Sequence, residues 1–381
     1  MKISLLAILM AVLVIGGCSK PKGVFKPGQL WLDNNGVHLN AHGGGIMIHD
    51  NTYYWFGEHK TEGKAGNKAL VGVHCYSSKD LYNWKDEGVA LSVVSDTTSL
   101  IVKGCVIERP KVIFNAKTKK FVMWFHHELK GMGYDAAMTG LAVSDHVTGP
   151  YQYIKSMNPN AGVWPINYPD SLKTRKVDMD TIKQWSPTWR KEVELGYFLR
   201  RDFEKGQMAR DMTLFVDDDG KAYHIHSSEN NQTLHISELT EDYLGFSDKY
   251  TRVLEGKANE APALFKRGNQ YYMISSGCTG WKPNPARSAM ATHPLGKWTE
   301  LGNPSQGSEE DVRTTFHSQS TFVLPLIGQK DAYVYMGDRW VPNNAIDGRY
   351  IWLPMEFEAD RPIVKWYAEW DLSIFNEGEN E

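Results

Sequence analysis

A strand–turn–strand unit recurs five times along this chain, and that repetition constrains the fold more than any other feature. The first copy runs through Ala41-His42-Gly43-Gly44-Gly45-Ile46-Met47-Ile48, turns at Asp50-Asn51 and returns through Tyr53-Tyr54-Trp55-Phe56-Gly57. The others open at Glu108-Arg109-Pro110, Asp211-Met212-Thr213, Glu260-Ala261-Pro262 and Gln319-Ser320-Thr321, and return at Phe121, Ala222, Tyr271 and Ala332. In each copy 11 to 13 residues separate the opening polar residue from the second run. β-Branched and aromatic runs around Gly, Asn or Asp are hairpin chemistry. A further strand follows most copies, and several reach an aromatic outer segment such as Leu81-Tyr82-Asn83-Trp84. Three to four antiparallel strands per unit, five times over, predict an all-β chain folded as a five-bladed β-propeller. A sandwich also needs many short strands, but it does not restart each unit with the same spacing. Residues 155–208 separate the second and third units more widely than any other pair. They predict a long insertion with a helix over 178–203, whose ends return to the channel mouth and wall off one side of it.

The first strand of every propeller blade lines the central channel. His42, Glu108, Asp211, Glu260 and Gln319 all stand four residues before an apolar anchor (Ile46, Val112, Phe215, Leu264, Val323). They are therefore expected to converge at one end of the channel. Singly, Glu108 pairs as readily with Arg109 and Asp211 with Arg210; three carboxylates in register with an imidazole and an amide read instead as a site. Trp281 lies in the loop Gly280-Trp281-Lys282-Pro283-Asn284-Pro285, where an indole held outward suits stacking on a sugar ring. Glu58 follows the second strand of the first unit and is expected to accept hydroxyls. Asp338, in the matching place of the fifth unit, fits either that role or an ion pair.

Composition narrows the partners. With 42 Lys and Arg against 45 Asp and Glu, and no basic stripe, nucleic acid and acidic polymers are excluded. Thirteen Trp and eighteen Tyr suit flat, uncharged ligands. Cys75, Cys105 and Cys278 match neither a disulfide framework nor zinc spacing. Asp217-Asp218-Asp219-Gly220 reads as a hairpin turn, lacking the downstream Glu of a calcium loop. His224 and His226 share a strand face but lack a third ligand for zinc.

These blocks resemble glycoside hydrolase family 43, five-bladed propeller enzymes that cleave furanosides and some pyranosides with inversion. The resemblance covers the chain from about Trp31 to Phe375. Five blocks resemble its exo-β-1,3-galactanase branch: Asn40-Ala41-His42-Gly43-Gly44-Gly45, Ile107-Glu108-Arg109-Pro110-Lys111, Arg210-Asp211-Met212-Thr213-Leu214-Phe215, Ser276-Gly277-Cys278-Thr279-Gly280-Trp281 and Ser318-Gln319-Ser320-Thr321-Phe322. The resemblance implies Glu260 as general acid and Asp211 as the aspartate that orients it and adjusts its pKa. Most of the family opens its first blade with an aspartate base; His42 stands there here, as the galactanase branch also lacks that aspartate. Gln319 then positions the attacking water or acts through its imidic tautomer, and Glu108 is the alternative base, though by resemblance it grips sugar hydroxyls.

The implied substrate is β-1,3-linked galactan, cleaved by a monomer with no required cofactor. Gln319 stands where the wider family often has a histidine near a central ion, so calcium or sodium in the channel is not expected. The rivals are an α-L-arabinofuranosidase or β-xylosidase of the same fold, and a non-catalytic glycan-binding lipoprotein. Met1 to Cys18 reads as an export signal: one Lys, an apolar run shorter than the roughly 20 residues of a membrane span, then Gly16-Gly17-Cys18. Its end resembles a bacterial lipoprotein signal. Cys18 would carry the lipid, residues 19–30 would be a linker, and 31–381 a single catalytic domain on the periplasmic side or attached to the outer membrane. The membrane is then touched only through that anchor.

Overall fold

The computed structural model describes residues 23–68 and 70–376, so the signal and Cys18 lie outside the described residues. Five antiparallel sheets follow one another along the chain, each from consecutive strands. Blade one is His42–His49, Thr52–Lys60, Leu70–Ser78 and Lys85–Ser92. Blade two is Val106–Asn115, Lys120–Glu128, Met138–Ser144 and Gln152–Met157; blade three is Met212–Val216, Ala222–Ser228, Thr233–Leu239 and Phe246–Val253. Blade four is Glu260–Arg267, Gln270–Ser276, Ala286–Ala291 and Thr299–Gly302. Blade five is Gln319–Pro325, Tyr333–Arg339, Arg349–Glu358 and Arg361–Lys365, with Ser305–Gln306 added in parallel at its outer edge. The five-bladed propeller expected from the repeat is the fold.

Each blade buries apolar side chains against its neighbour, giving five packed seams. Phe56, Cys75 and Met123 fill the first, Trp124 and Leu214 the second, Ile225 and Leu264 the third, and Phe265 and Tyr335 the fourth. The seam that closes the ring, between blades five and one, is the most aromatic: Trp55, Trp84, Tyr350, Trp352 and Trp370 are buried there with Phe25. Phe25 and Trp370 also form an isolated bridge between the two ends of the described residues. Among the described residues no helix is long and apolar enough to cross a membrane.

The insertion differs from expectation. Its helical part is broken into Pro187–Glu194 and Tyr197–Arg201 by Gly196, whose φ is 78°. It packs on blade three: Tyr168 and Leu199 cluster with Tyr250, and Arg252, paired with Glu229, donates to the carbonyls of Val193 and Glu194.

The opening residues are aimed by a shared kink. Registers slip just after His42, Glu108 and Glu260, and the next residues, Gly43, Arg109 and Ala261, all have left-handed φ between 54° and 58°. A bulge of this kind turns the strand and redirects the side chain before it. At Gly43 a Cβ would stand 2.3 Å from Glu58 Oε1, so only glycine fits.

Candidate active site

At one end of the channel a cavity of about 270 Å³ is lined by Glu108, Asp211, Glu260 and Gln319 from four blades, by Glu58 from the second strand of blade one, and by Trp281 at its rim. His42 is not among its walls. It is fully buried behind Trp340, the ring centroids 5.7 Å apart, and burial pushes its imidazole down to about 3, leaving it neutral. Its expected contact with sugar is thus corrected: Glu58, directly opposite His42 in the hairpin register, takes the channel-facing place. Asp338 is also withdrawn. It is buried, accepts from the Gly43 amide at 2.5 Å, and touches only a narrow neighbouring recess.

Arg109 organises the site. Its guanidinium is buried, lies 3.1 Å from Asp211 Oδ2, and donates to Gln319 Oε1 at 2.5 Å and to the Ser320 carbonyl at 2.8 Å. The local pairings of Glu108 with Arg109 and of Asp211 with Arg210 do not form, because Arg109 turns across the channel. Arg210 donates to the Tyr134 carbonyl. Asp211 Oδ2 also accepts from the Ala261 amide at 3.0 Å, which ties it to the residue following Glu260.

Glu260 accepts from Asn231 Nδ2 at 2.9 Å and from Gln319 Nε2 at 3.3 Å. Its carboxyl is pushed up to about 7, first by burial and then by the negative charge of Asp211, with Arg109 opposing. Burial therefore outweighs the like charge. Glu108 is the opposite case. It accepts from Asn67 and Tyr134 and lies 2.8 Å from His126, and these partners overcome its burial to hold it at about 2. His126, set between Glu108 and Glu128, is raised to about 9.

Gln319 uses every valence of its amide. The oxygen accepts from Arg109 and Trp340, and the nitrogen donates to Glu260 and Ser276. An amide offers two acceptor sites and two donors, so the hydrogen bonding that would hold a water is already engaged by protein.

Atoms of Glu108, His126 and Asp211 lie within 4.8 Å of one another, the spacing of a cation site. The set does not fit one. His126 is already engaged on both ring nitrogens by Glu108 and Glu128, and the Arg109 guanidinium pairs with Asp211. His224 and His226 sit buried inside blade three, Nδ1 to Nδ1 at 3.0 Å, with His224 Nε2 against Thr139. Asp217 ties blades three and four through Lys266 and Tyr271.

Trp281 is 45 % exposed, its ring 5.9 Å from that of Trp340. The insertion supplies no wall of the cavity: none of its lining residues falls within 155–208. Sequence reasoning missed Arg109, His126, Asn231, Asn67, Tyr134 and Trp340 as site residues. His126 alone was within reach, since the hairpin register sets it opposite Glu108.

The arrangement matches solved structures. A family 43 β-1,3-galactosidase, solved with galactodeoxynojirimycin, is 49 % identical over 91 % of this chain and all of that one, with a TM-score of 0.87. This chain belongs to glycosyl hydrolases family 43. The family 43 model itself matches residues 183–360. An exo-β-1,3-galactanase from Clostridium thermocellum is 35 % identical, covering 91 % of this family 43 chain and 66 % of its own, at a TM-score of 0.73. One from Phanerochaete chrysosporium, solved with β-1,3-galactotriose, is 31 % identical over 92 % and 68 %, at 0.72. No curated protein sequence matches this family 43 member.

Proposed function

We propose that this glycosidase is an inverting exo-β-1,3-galactosidase that removes single galactose units from the β-1,3-galactan backbone. One observation carries the reading: a carboxyl held near pH 7, Glu260, stands in the wall of a small cavity in a chain 49 % identical to a β-1,3-galactosidase. A cavity of about 270 Å³ lies just below the roughly 300–1,000 Å³ of drug-sized ligand sites and suits one pyranose ring. Trp281 offers that ring an apolar face. Product analysis on β-1,3-galactan, by mass and anomeric NMR, tests it: galactose alone should appear, first as the α-anomer. Longer oligosaccharides, or a β-anomer, would overturn it.

In this reading protonated Glu260 gives its proton to the leaving oxygen, and Asp211 and Burial set its pKa. Glu108 and Glu58 present ionised or ion-paired oxygens to sugar hydroxyls. Gln319, its amide saturated, acts as a positioning residue that holds Glu260. We infer also that Cys18 carries a lipid anchor.

Two results follow. Because only the protonated acid works, kcat/KM on β-1,3-galactobiose should fall as pH rises through about 7. Asp211→Asn removes the like charge that raises Glu260, so this alkaline limb should move to lower pH; an unmoved limb would remove Asp211 from that role. Gln319→Ala should lower kcat about 10- to 100-fold by loosening the acid. Azide should not restore it, whereas rescue by azide would make Gln319 part of the water's path.

A further inference from the structure

The loop from Gly277 to Asn284 separates two spaces. One face, through Gly280 and Trp281, borders the catalytic cavity; the other, through Gly277, Cys278 and Thr279, borders a groove of about 430 Å³ whose far side is Trp185 and Arg190 of the insertion. The partition is rigid, since Asn284 bonds both Gly277 and Thr279 across the loop. It is also thin. Cys278 Sγ lies 3.6 Å from the Asn231 carbonyl, and the Asn231 side chain holds Glu260.

Trp185 is unlike a stray surface aromatic. Its indole is 52 % exposed, although Trp189 at 4.7 Å and the Arg190 guanidinium at 6.0 Å hold it in place. Its backbone has φ 67°, a conformation that a bulky side chain rarely adopts and that is retained where structure demands it. Gln232, Lys257 and Arg287 add hydrogen-bonding groups to the groove's walls. A fixed apolar face opposite hydrogen-bonding groups is what a neutral sugar ring requires.

We propose that this groove is a distal subsite for the leaving-group side of a galactan chain, with Trp185 as its stacking platform. The inference rests on the exo-galactosidase reading. The acid stands by definition beside the leaving oxygen, so the remaining chain departs on the side carrying Glu260, Asn231 and Gly280. The groove lies just beyond that side. The insertion thus serves chain length rather than closing the cavity.

The test compares kcat/KM of wild type and Trp185→Ala on β-1,3-galactobiose, galactotetraose and the polymer. Galactobiose should be unchanged, while the tetraose and polymer should lose about tenfold, mainly through KM. Arg190→Ala, which frees the indole without removing it, should give a smaller loss in the same order. Affinity of the Glu260→Gln enzyme for galactotetraose, by calorimetry, should fall likewise when Trp185 is replaced. Equal ratios at every length, or unaltered affinity, would overturn the subsite. A wild type that leaves all three substrates intact would overturn the galactosidase reading instead.

Discussion

Replacing Glu260 by glutamine should lower kcat/KM on β-1,3-galactobiose by about 10³- to 10⁴-fold while leaving the fold intact. General acid catalysis of this kind contributes about 10²- to 10⁴-fold, and an alkoxide leaving group places this bond at the upper end. Glutamine keeps the shape and can still meet Asn231, but it has no proton of the right acidity to give. An aryl galactoside with an acidic phenol needs little protonation and should lose far less. The contrast between leaving groups, measured by steady-state kinetics, is the decisive readout. A uniform loss on both would make Glu260 a binding residue and return the acid's role to another carboxyl.

The second large effect concerns Arg109. Arg109→Met removes a buried cation that pairs with Asp211 and donates to Gln319 and Ser320. Breaking such a buried pair from one side costs about 3–5 kcal/mol, since the remaining charge is left without compensation. Thermal unfolding should therefore shift well downward. The variant that folds should also show an altered pH profile. Arg109 lowers the pKa of Glu260, so its loss raises that pKa and moves the alkaline limb to higher pH, opposite to Asp211→Asn. Limbs moving the same way in both variants would contradict the charge arrangement described above.

How much of this was readable from the sequence follows from what each feature depends on. The blades were legible because hairpin spacing is local and repeats five times. The placing of Glu108, Asp211, Glu260 and Gln319 around one cavity was legible for the same reason, since equivalent positions in a ring converge. His42 broke that rule: it is buried behind Trp340, and Glu58, opposite it in the hairpin, lines the cavity instead. Arg109 was seen only as a local pairing alternative for Glu108 and not as a site residue; its reach across the channel accompanies a left-handed kink that only the folded sheet discloses. The sequence offered both the Asp211 charge and partial burial as causes of the acid's raised pKa; which is larger depends on the assembled ring, where burial leads. The insertion's course over blade three was not legible either, as it follows contacts with Tyr250 and Arg252 far along the chain.

No blade borrows a strand from another, so nothing in the hydrogen-bonded sheets holds the circle shut. That task falls to the indoles between blades five and one and to the Phe25–Trp370 bridge. Phe25 and Trp370 stand near opposite ends of the described residues, so closing the circle needs contacts from both ends of that span. Five blades also contribute to the catalytic cavity, and Gln319 arrives only with the fifth. The cavity and the closed ring thus depend on the same fifth blade, and the tryptophans of the closing seam offer a fluorescent report on it.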